Sequence, residues 1–511
     1  MTHKPYFTTL FICLCLGAIV VSCKKNQHDV AAVNDNPQQF ENKIAFAKSL
    51  AKALTKKTVR ELIKGEAVKQ IDKDYDVLYQ MVKDNQVEPN KTLADYLSGE
   101  AGSTTFTSMV DDKLPLITIF VPRLKNFSAD DWDTDNQIPI VGVRNEEDIK
   151  AGKKMLAFDA QGNQYEMAYN SKPDRPIVIV KTNERVEVLD GPTATTRSAI
   201  ASTILYEKKG KAFYFRYPDF DGRNVPPYQP ASKQEATENS QPNAREAAVE
   251  SYCFRTTDYA RYDFRAQYAF EHNITCARDY IYYGIDPANG VNQGPFNSNY
   301  AEFITSVRIN DMATRDRLVD DMTDGNMEFD LTFFFIQDKT GVNSLKKGFS
   351  LVTDELFITD AQNPAPNPKA YTLSAPVEII PFDMQKYGDT WKIAVYEYDP
   401  GTTSSYTSTM TSTYGGNFTV SGTIQKVGLS FGGSATETHT QTVTTTVTGT
   451  SDDLLDALHT YCDPILIEKG ASSAFPCGWS TGGRPPRGGW GRNYEVSTGK
   501  VSFSIETRAR F

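Results

Sequence analysis

Apolar residues along this chain change their spacing from region to region, and each change predicts a different kind of element. The opening MTHKPYFTTLFICLCLGAIVVSC carries a largely apolar run from Phe7 to Val21 before Ser22 and Cys23. A run of about 15 residues falls short of the roughly 20 needed for a membrane-spanning helix and fits the core of a secretory signal. Residues 1–22 therefore read as a signal peptide and 23–39, polar and rich in Asn and Gln, as a tether. Over 40–105 the apolar positions fall three and four apart, first in FENKIAFAKSLAKAL. VRELIKGEAVKQIDKDYDVLYQMVKD continues the pattern through Leu62, Ile63, Val68, Ile71, Val77, Leu78 and Met81, which predicts an amphipathic helical region.

The period drops toward two over 106–225, predicting a β domain. LPLITIFVP reads as a strand bounded by prolines, and KMLAFDAQGNQYEMAY as a hairpin turning at Gly162. RPIVIVKTNERVEV reads as one further strand and AIASTILYEKKGKAFYFRY as a second hairpin. Residues 226–250 hold almost no large apolar side chain and read as a linker. The segment 251–299 is tyrosine-rich, with Cys253 and Cys276 flanking an aromatic cluster that reads as core packing under a disulfide. Over 300–511 strands dominate: MEFDLTFFFIQD, GFSLVT, PVEIIPFD, WKIAVYEYD, the threonine-rich runs of 402–450, and the closing KVSFSIETRARF. One helix is predicted among them at SDDLLDALHTY, where Ser451 would cap and Asp452 and Asp453 would face the helix N-terminus. The chain thus reads as mainly β with an N-terminal helical region (α+β overall), its C-terminal domain an antiparallel, β-sandwich-like structure. No period of 20–50 residues recurs, which argues against a solenoid or propeller.

Composition narrows the function classes. Lys and Arg number 54 against 64 Asp and Glu. This acidic balance argues against general nucleic-acid binding. With Cys13, Cys15 and Cys23 assigned to the signal and its end, Cys253, Cys276, Cys462 and Cys477 remain. Four cysteines allow three pairings. The local one, Cys253 with Cys276 and Cys462 with Cys477, closes the shorter loops. Each bridge would contribute about 3 kcal/mol in the loop-entropy description. A zinc site would want C-x-x-C or close Cys/His spacing, and the sequence has neither.

The ending VVSC resembles a bacterial lipobox. That resemblance implies cleavage before Cys23, a diacylglyceryl group and a further acyl chain of the palmitate type on it, and stable membrane anchoring. It also implies the outer membrane, because the residue after the cysteine is Lys24 and not Asp. DYDVLY at 74–79, RPIVIV and NERV around 175–186, and the W-I-VYE-DPG pattern at 391–401 resemble segments of large uncharacterised lipoproteins of Bacteroidota-type bacteria. The resemblance implies a location and no activity.

Candidate chemistry is thin. GLSFG, Gly428 to Gly432, matches the nucleophile elbow G-x-S-x-G, which needs a strand before the serine, a helix after it, then Asp and His. Strand-like sequence follows Ser430, and the nearest later histidine with an upstream acid, His459, falls in the predicted helix. No H-E-x-x-H, phosphate loop or dinucleotide fingerprint occurs. Asp131, Asp133 and Asp135 alternate as calcium loops do, but Asn136 stands where an EF-hand needs Gly and Gly142 where it needs Glu. Paired glycosidase carboxylates leave no linear signature. Trp479 and Trp490, in an Arg- and Gly-rich loop, have the rings that stack on sugars.

In the stretch TETHTQTVTTTV every even position from 436 to 448 is threonine, and YTSTMTSTY repeats the habit. With NFTVSGTIQKVGLSFGG these runs resemble the Ser/Thr-rich strands of aerolysin-type pore-forming proteins. The resemblance implies strands that rearrange into a barrel. A membrane-crossing strand needs about 9–11 residues with one apolar face, and a threonine-faced sandwich strand gives the same alternation. The expectation is an outer-membrane-anchored lipoprotein, non-catalytic and without cofactor, with a binding or structural role toward a glycan or protein ligand. A β-pore-forming protein and an extracytoplasmic hydrolase are the alternatives.

Overall fold

The computed structural model describes residues 37–223 and, between 277 and 510, the segments 277–285, 289–291, 294–311, 313–314, 318, 321–323, 325–337, 341–352, 371–397, 404–413, 416–420, 423–427, 440–449, 452–461, 466–469, 489–492 and 495–510. The signal, the tether up to residue 36, Cys23, the linker, Cys253, Cys276, Cys462, Cys477, Ser430 and Trp479 lie outside them, and residues 37–39, read as tether, open the first helix.

The protein is mostly β, with several antiparallel sheets and a few helices. Its first part begins with α1 (Pro37–Ala53) and α2 (Lys57–Ala67), then β1 (Asp76–Leu78), α3 (Tyr79–Val82), β2 (Gln86–Glu88), β3 (Lys91–Thr92), α4 (Leu93–Ala101) and α5 (Phe106–Lys113). Next come β4 (Ile117–Phe120), β5 (Ile140–Val143), α6 (Glu146–Lys150), β6 (Met155–Phe158), β7 (Gln164–Met167), β8 (Ile177–Thr182), β9 (Val186–Asp190), α7 (Ala194–Ile200), β10 (Ile204–Lys208) and β11 (Lys211–Phe215). The start of α4 is written in its sequence. Thr92 accepts from the Asp95 amide at 3.2 Å while the Asp95 carboxylate accepts from the Thr92 amide at 2.9 Å, a reciprocal cap.

Six strands form one sheet in the order β1-β4-β8-β5-β6-β7, antiparallel except at the β5–β8 pair. Helix α1 packs across β5, β6 and β8, burying Phe46, Ala47 and Leu50 against Val141, Val143, Met155 and Val178. A three-stranded sheet, β10-β11-β9, closes a smaller core around Phe213, Phe215 and Phe220. The β6–β7 hairpin turns through Gly162 at φ +85°, a backbone conformation that favours glycine. Two sequence readings need correction here. The helical run of 40–105 is broken by β1, since Asp76–Leu78 pairs with Thr118–Phe120 of β4. RPIVIVKTNERVEV is two strands in different sheets, split at Asn183–Arg185, whose side chains are buried in polar contacts described below.

The second part holds α8 (Ala277–Tyr282), β12 (Tyr300–Ile309), β13 (Met327–Gln337), β14 (Gly341–Leu351), β15 (Tyr371–Glu378), α9 (Met384–Tyr387), β16 (Thr390–Glu397), β17 (Ser404–Thr413) and β18 (Gly416–Val420). It continues with β19 (Thr423–Val427), β20 (Thr440–Gly449), β21 (Asp452–Thr460), β22 (Leu466–Lys469), β23 (Gly489–Arg492), β24 (Glu495–Ser497) and β25 (Val501–Ala509). Two four-stranded sheets, β15-β12-β25-β24 and β14-β13-β16-β21, share one apolar core. Alternation puts Phe329, Leu331, Phe333 and Phe335 of β13 into that core, against Ile304, Phe503 and Ile505 of the other sheet. The opposite face of β13 carries Glu328, Asp330, Thr332, Phe334 and Ile336, and Phe334 and Ile336 pack with Met410 of β17.

The helix predicted over 451–461 is a strand. Residues Asp452–Thr460 pair antiparallel with β16, with Trp391 opposite His459. A bulge explains the misreading. The register slips opposite Ala394 and Tyr396, and Leu455 takes φ +72°. The extra residue shifts the alternation, so Leu454 and Ala457 are both buried while Leu455 and Leu458 are exposed. Buried positions three apart imitate a helical period.

Candidate functional site

The two parts meet through a cluster of charged side chains that apolar patterning does not reveal. Asp72, Asp74 and Asp76 precede or open β1, Lys181 lies in β8, Asn183, Glu184 and Arg185 sit between β8 and β9, and Glu328 lies in β13. Each of these eight side chains is at most 3 % exposed. Arg185 donates to the Asp72 carbonyl at 3.0 Å, to the Asp74 carboxylate at 3.3 Å and to the Asn326 carbonyl at 2.9 Å, and it also ion-pairs with Glu328. Asp74 accepts in turn from the Asn326 amide at 2.7 Å. Lys181 bridges Glu184 at 2.5 Å and Asp76 at 3.4 Å, its ammonium 4.6 Å from the Phe120 ring centre. Asn183 binds the Asp72 carboxylate at 3.0 Å and accepts from the amides of Arg185 and Val186. One guanidinium thus ties β1, the β8–β9 turn and β13 together.

Buried charge has a titration consequence. Burial pushes the Asp72 carboxyl up to about 6, against the pull of Arg185 and Asn183. Burial likewise holds Asp76 well above the carboxylate range, partly opposed by Lys181. Burial presses the Lys181 ammonium down, but Asp76 and Glu184 more than offset it and leave it raised. A carboxyl raised by folding binds its proton more tightly in the native state, so its contribution falls as pH rises from the unfolded value, near 4, through about 6. Asp133, Asp159 and Asp311, held low by hydrogen bonds, act only below about pH 4. Buried His459, held low, acts with the opposite sign near its unfolded value, so the readout is a difference: between pH 5 and 7 the urea midpoint of the wild type is expected to fall relative to that of Asp72→Asn. A difference between the two that stays level over that range would refute the assignment.

Beyond this joint opens a groove of about 720 Å³, lined by Glu187, Arg216–Asp219, Lys346–Gly348 and Ala375–Glu378. Its size is that of a ligand site. The short 3-10 turn Pro218–Phe220 closes one end, where Asp219 accepts from the Ser350 amide at 3.2 Å and pairs with Lys73 at 3.3 Å. Gly348 allows the Tyr217 ring to approach β14, since a Cβ there would sit 2.1 Å from the ring. The groove's acids already hold cations. Glu187 and Asp330 bind Arg216 at 3.3 and 3.0 Å, and Glu378 binds Arg510 at 2.7 Å. Lys346 and Lys347 have no hydrogen-bond or ion-pair partner among the described residues. Burial lowers the Lys347 pKa, with Glu378 pulling the other way.

The residues singled out from sequence are scattered. Asp131 and Ser128 bond each other across a turn at 3.1 Å, Asp133 accepts from Asn136 at 2.7 Å, and Asp135 pairs with Lys57 at 2.6 Å. All three are exposed, and each carboxylate serves a different local partner. Among the described residues no group of three or more His, Cys, Asp or Glu is arranged to hold a metal ion. His459 is fully buried beside Tyr461 and Trp391, its pKa held well below the usual value by burial and by the nearby Arg278. It is a core side chain in β21. The Gly428–Gly432 motif lies outside the described residues.

The threonine runs gain a register. β17 and β20 pair from Ser404 opposite Gly449 to Thr413 opposite Thr440, which sets Thr407, Thr409, Thr411 and Thr413 against Thr446, Thr444, Thr442 and Thr440. Opposed residues share a face. Thr409, opposite Thr444, is exposed, and its neighbour Met410 is buried. No protein-family model, curated protein or solved structure matches the chain.

Proposed function

We propose that this chain is a lipid-anchored, non-catalytic binding protein of the bacterial outer membrane, with an anionic ligand held in the groove between its two parts. The observation that carries the reading is the pair Lys346 and Lys347, without a hydrogen-bond or ion-pair partner among the described residues, in a groove whose acids Glu187 and Glu378 already pair with Arg216 and Arg510. A buried, hydrogen-bonded joint beside the groove supports it, because a preformed site spends less of its binding energy on ordering. Location rests on VVSC and on Lys24 after Cys23. In this reading the second part is an antiparallel β-sandwich, its two four-stranded sheets the two layers. Cys23→Ser should release the protein from membranes and abolish acyl labelling. Thermal-shift screening of the released protein against acidic peptides, oligogalacturonides and phosphate esters should find a stabilising anion whose effect is lost in Lys346→Gln/Lys347→Gln. Membrane retention of the unlabelled Cys23→Ser protein would sink the anchor, and the absence of any stabilising anion would sink the groove.

One observation favours the pore-forming alternative: β17 and β20 are ten residues each, the length of a membrane-crossing strand. Their register opposes it, because one face is almost wholly threonine and the other mixes Tyr, Met and Val with Ser and Gln. Purified, delipidated protein is expected to leave dye-loaded liposomes intact. Leakage that is blocked by a disulfide engineered between positions 407 and 446, and restored by reduction, would make the pore the function.

A further inference from the structure

The groove's walls say how a ligand would be held. Residues 346, 347 and 348 line one side and 375 to 378 the other, consecutive positions in both strands. A strand shows alternate residues on a face and consecutive residues only edge-on. β14 pairs with β13 alone and β15 with β12 alone among the described residues, so the groove runs between two sheet edges. The backbone direction follows from Ser350, whose amide points away from β13 and donates to Asp219. Main-chain groups reverse direction at each residue, so Gly348 and Lys346 also turn their N–H and C=O outward, into the groove. Their side chains are set too. Lys347 lies opposite Leu331, on the core-facing side at the mouth between the sheets, and Lys346 opposite Thr332, on the other side.

We propose that the groove binds an extended acidic peptide segment by strand addition to β14, with two consecutive acidic residues opposite Lys346 and Lys347. This rests on the groove-binding reading above and narrows it. Residues facing each other across paired strands share a side of the sheet. Neighbouring lysines of one strand therefore match neighbouring carboxylates of the next, one above and one below. The outward amide and carbonyl of Lys346, an exposed residue, supply main-chain bonds of the kind that give strand addition its affinity, and those of Gly348 lie deeper, where the residue is buried at the groove floor. A sugar chain has no matching ladder of donors and acceptors. Lysines at a sheet edge, one of them pointing inward, are also a device against pairing. That is the opposing outcome.

The probe is the hexapeptide Val-Thr-Glu-Glu-Thr-Val, acetylated, amidated and fluorescein-labelled, tested on the full-length mature chain carrying Cys23→Ser. Two twins carry N-methyl groups on alternate amides, one in each phase, so that each keeps the charges but loses one hydrogen-bonding edge. Saturable binding is expected, weakened at least tenfold by Lys346→Gln/Lys347→Gln and by one methylation phase, and restored by Lys346→Arg/Lys347→Arg. Hydrogen exchange at the Lys346 and Gly348 amides should slow at least tenfold in the complex. Equal binding of both methylated twins, or binding without protection of those amides, overturns strand addition. Direct binding of an oligogalacturonide or of phosphate, lost in Lys346→Gln/Lys347→Gln, with no peptide binding also overturns it, while leaving the groove a binding site. If peptide, glycan and phosphate all fail, both readings fall and the lysines are edge protection.

Discussion

Arg185→Ala is expected to lower unfolding stability by about 3–5 kcal/mol, the cost of removing one partner from a buried ion pair. Four acceptors from two chain segments converge on this guanidinium: the Asp72 carbonyl and Asp74 from one, the Asn326 carbonyl and Glu328 from the other. Truncation leaves those carboxylates buried, and Glu328 already has one oxygen without a hydrogen-bond partner among the described residues. Lysine is not an adequate replacement, because one ammonium cannot match donors spread over the planar fork. Arg185→Lys should therefore recover less than half of the loss. Urea unfolding by tryptophan fluorescence measures it, and a change below about 1 kcal/mol would mean that the cluster is not the joint described here. The effect should reach the groove, because the Arg216 amide donates to the Arg185 carbonyl at 2.9 Å while Arg216 lines the groove wall. Anion-induced thermal stabilisation should weaken in Arg185→Lys even at temperatures where the variant is folded.

Some of this architecture was legible in the sequence. The β6–β7 hairpin follows from alternation around Gly162, and β13, β16 and β25 from runs of Phe, Ile, Val and Tyr flanked by polar residues. Three features were not. β21 hides behind its bulge at Leu455, which turns a period of two into a period of three. The β8–β9 break hides because valines and isoleucines continue on both sides of Asn183–Arg185. The joint brings Asp74 to Asn326, 252 residues apart, and no local pattern reports such a contact. Two signals were present nevertheless. Acidic residues at alternate positions 72, 74 and 76 lead straight into an apolar strand, and Glu328 and Asp330 interrupt a strand otherwise filled with Phe, Leu and Ile. A charge in such a setting needs a partner, because its burial unpaired is costly. The resemblances read at DYDVLY and NERV fall on the residues of this joint.

A second staple joins the two sheets of the C-terminal part, and Arg278→Met tests it. Arg278, fully buried on α8, donates to Glu302 of β12 at 3.0 Å, to the Ile505 carbonyl of β25 at 3.3 Å and to the Tyr461 carbonyl at 3.4 Å. The first two acceptors belong to one sheet, and Tyr461 directly follows β21 of the other. Glu302 is otherwise satisfied, accepting from Tyr282 at 3.1 Å and Thr507 at 2.7 Å. Removing the guanidinium leaves a carboxylate with hydroxyl donors and no cation in a fully buried position, so a loss of about 3–5 kcal/mol is expected. The double variant Arg278→Met/Glu302→Met separates charge from packing. Replacing both partners with apolar groups of similar volume is often neutral or stabilising, so the double variant should be clearly more stable than the single one. Additive losses would show instead that Arg278 acts through its contacts with the Tyr461 ring, 5.2 Å away, and the carbonyls. His459 gives an independent readout. Burial, the larger cause of its depressed pKa, stays in both variants, whereas the repulsion from Arg278 goes. Its titration, followed by NMR in Arg278→Met, should move upward but stay below that of an exposed histidine. An unchanged titration would mean that the guanidinium does not act on the ring.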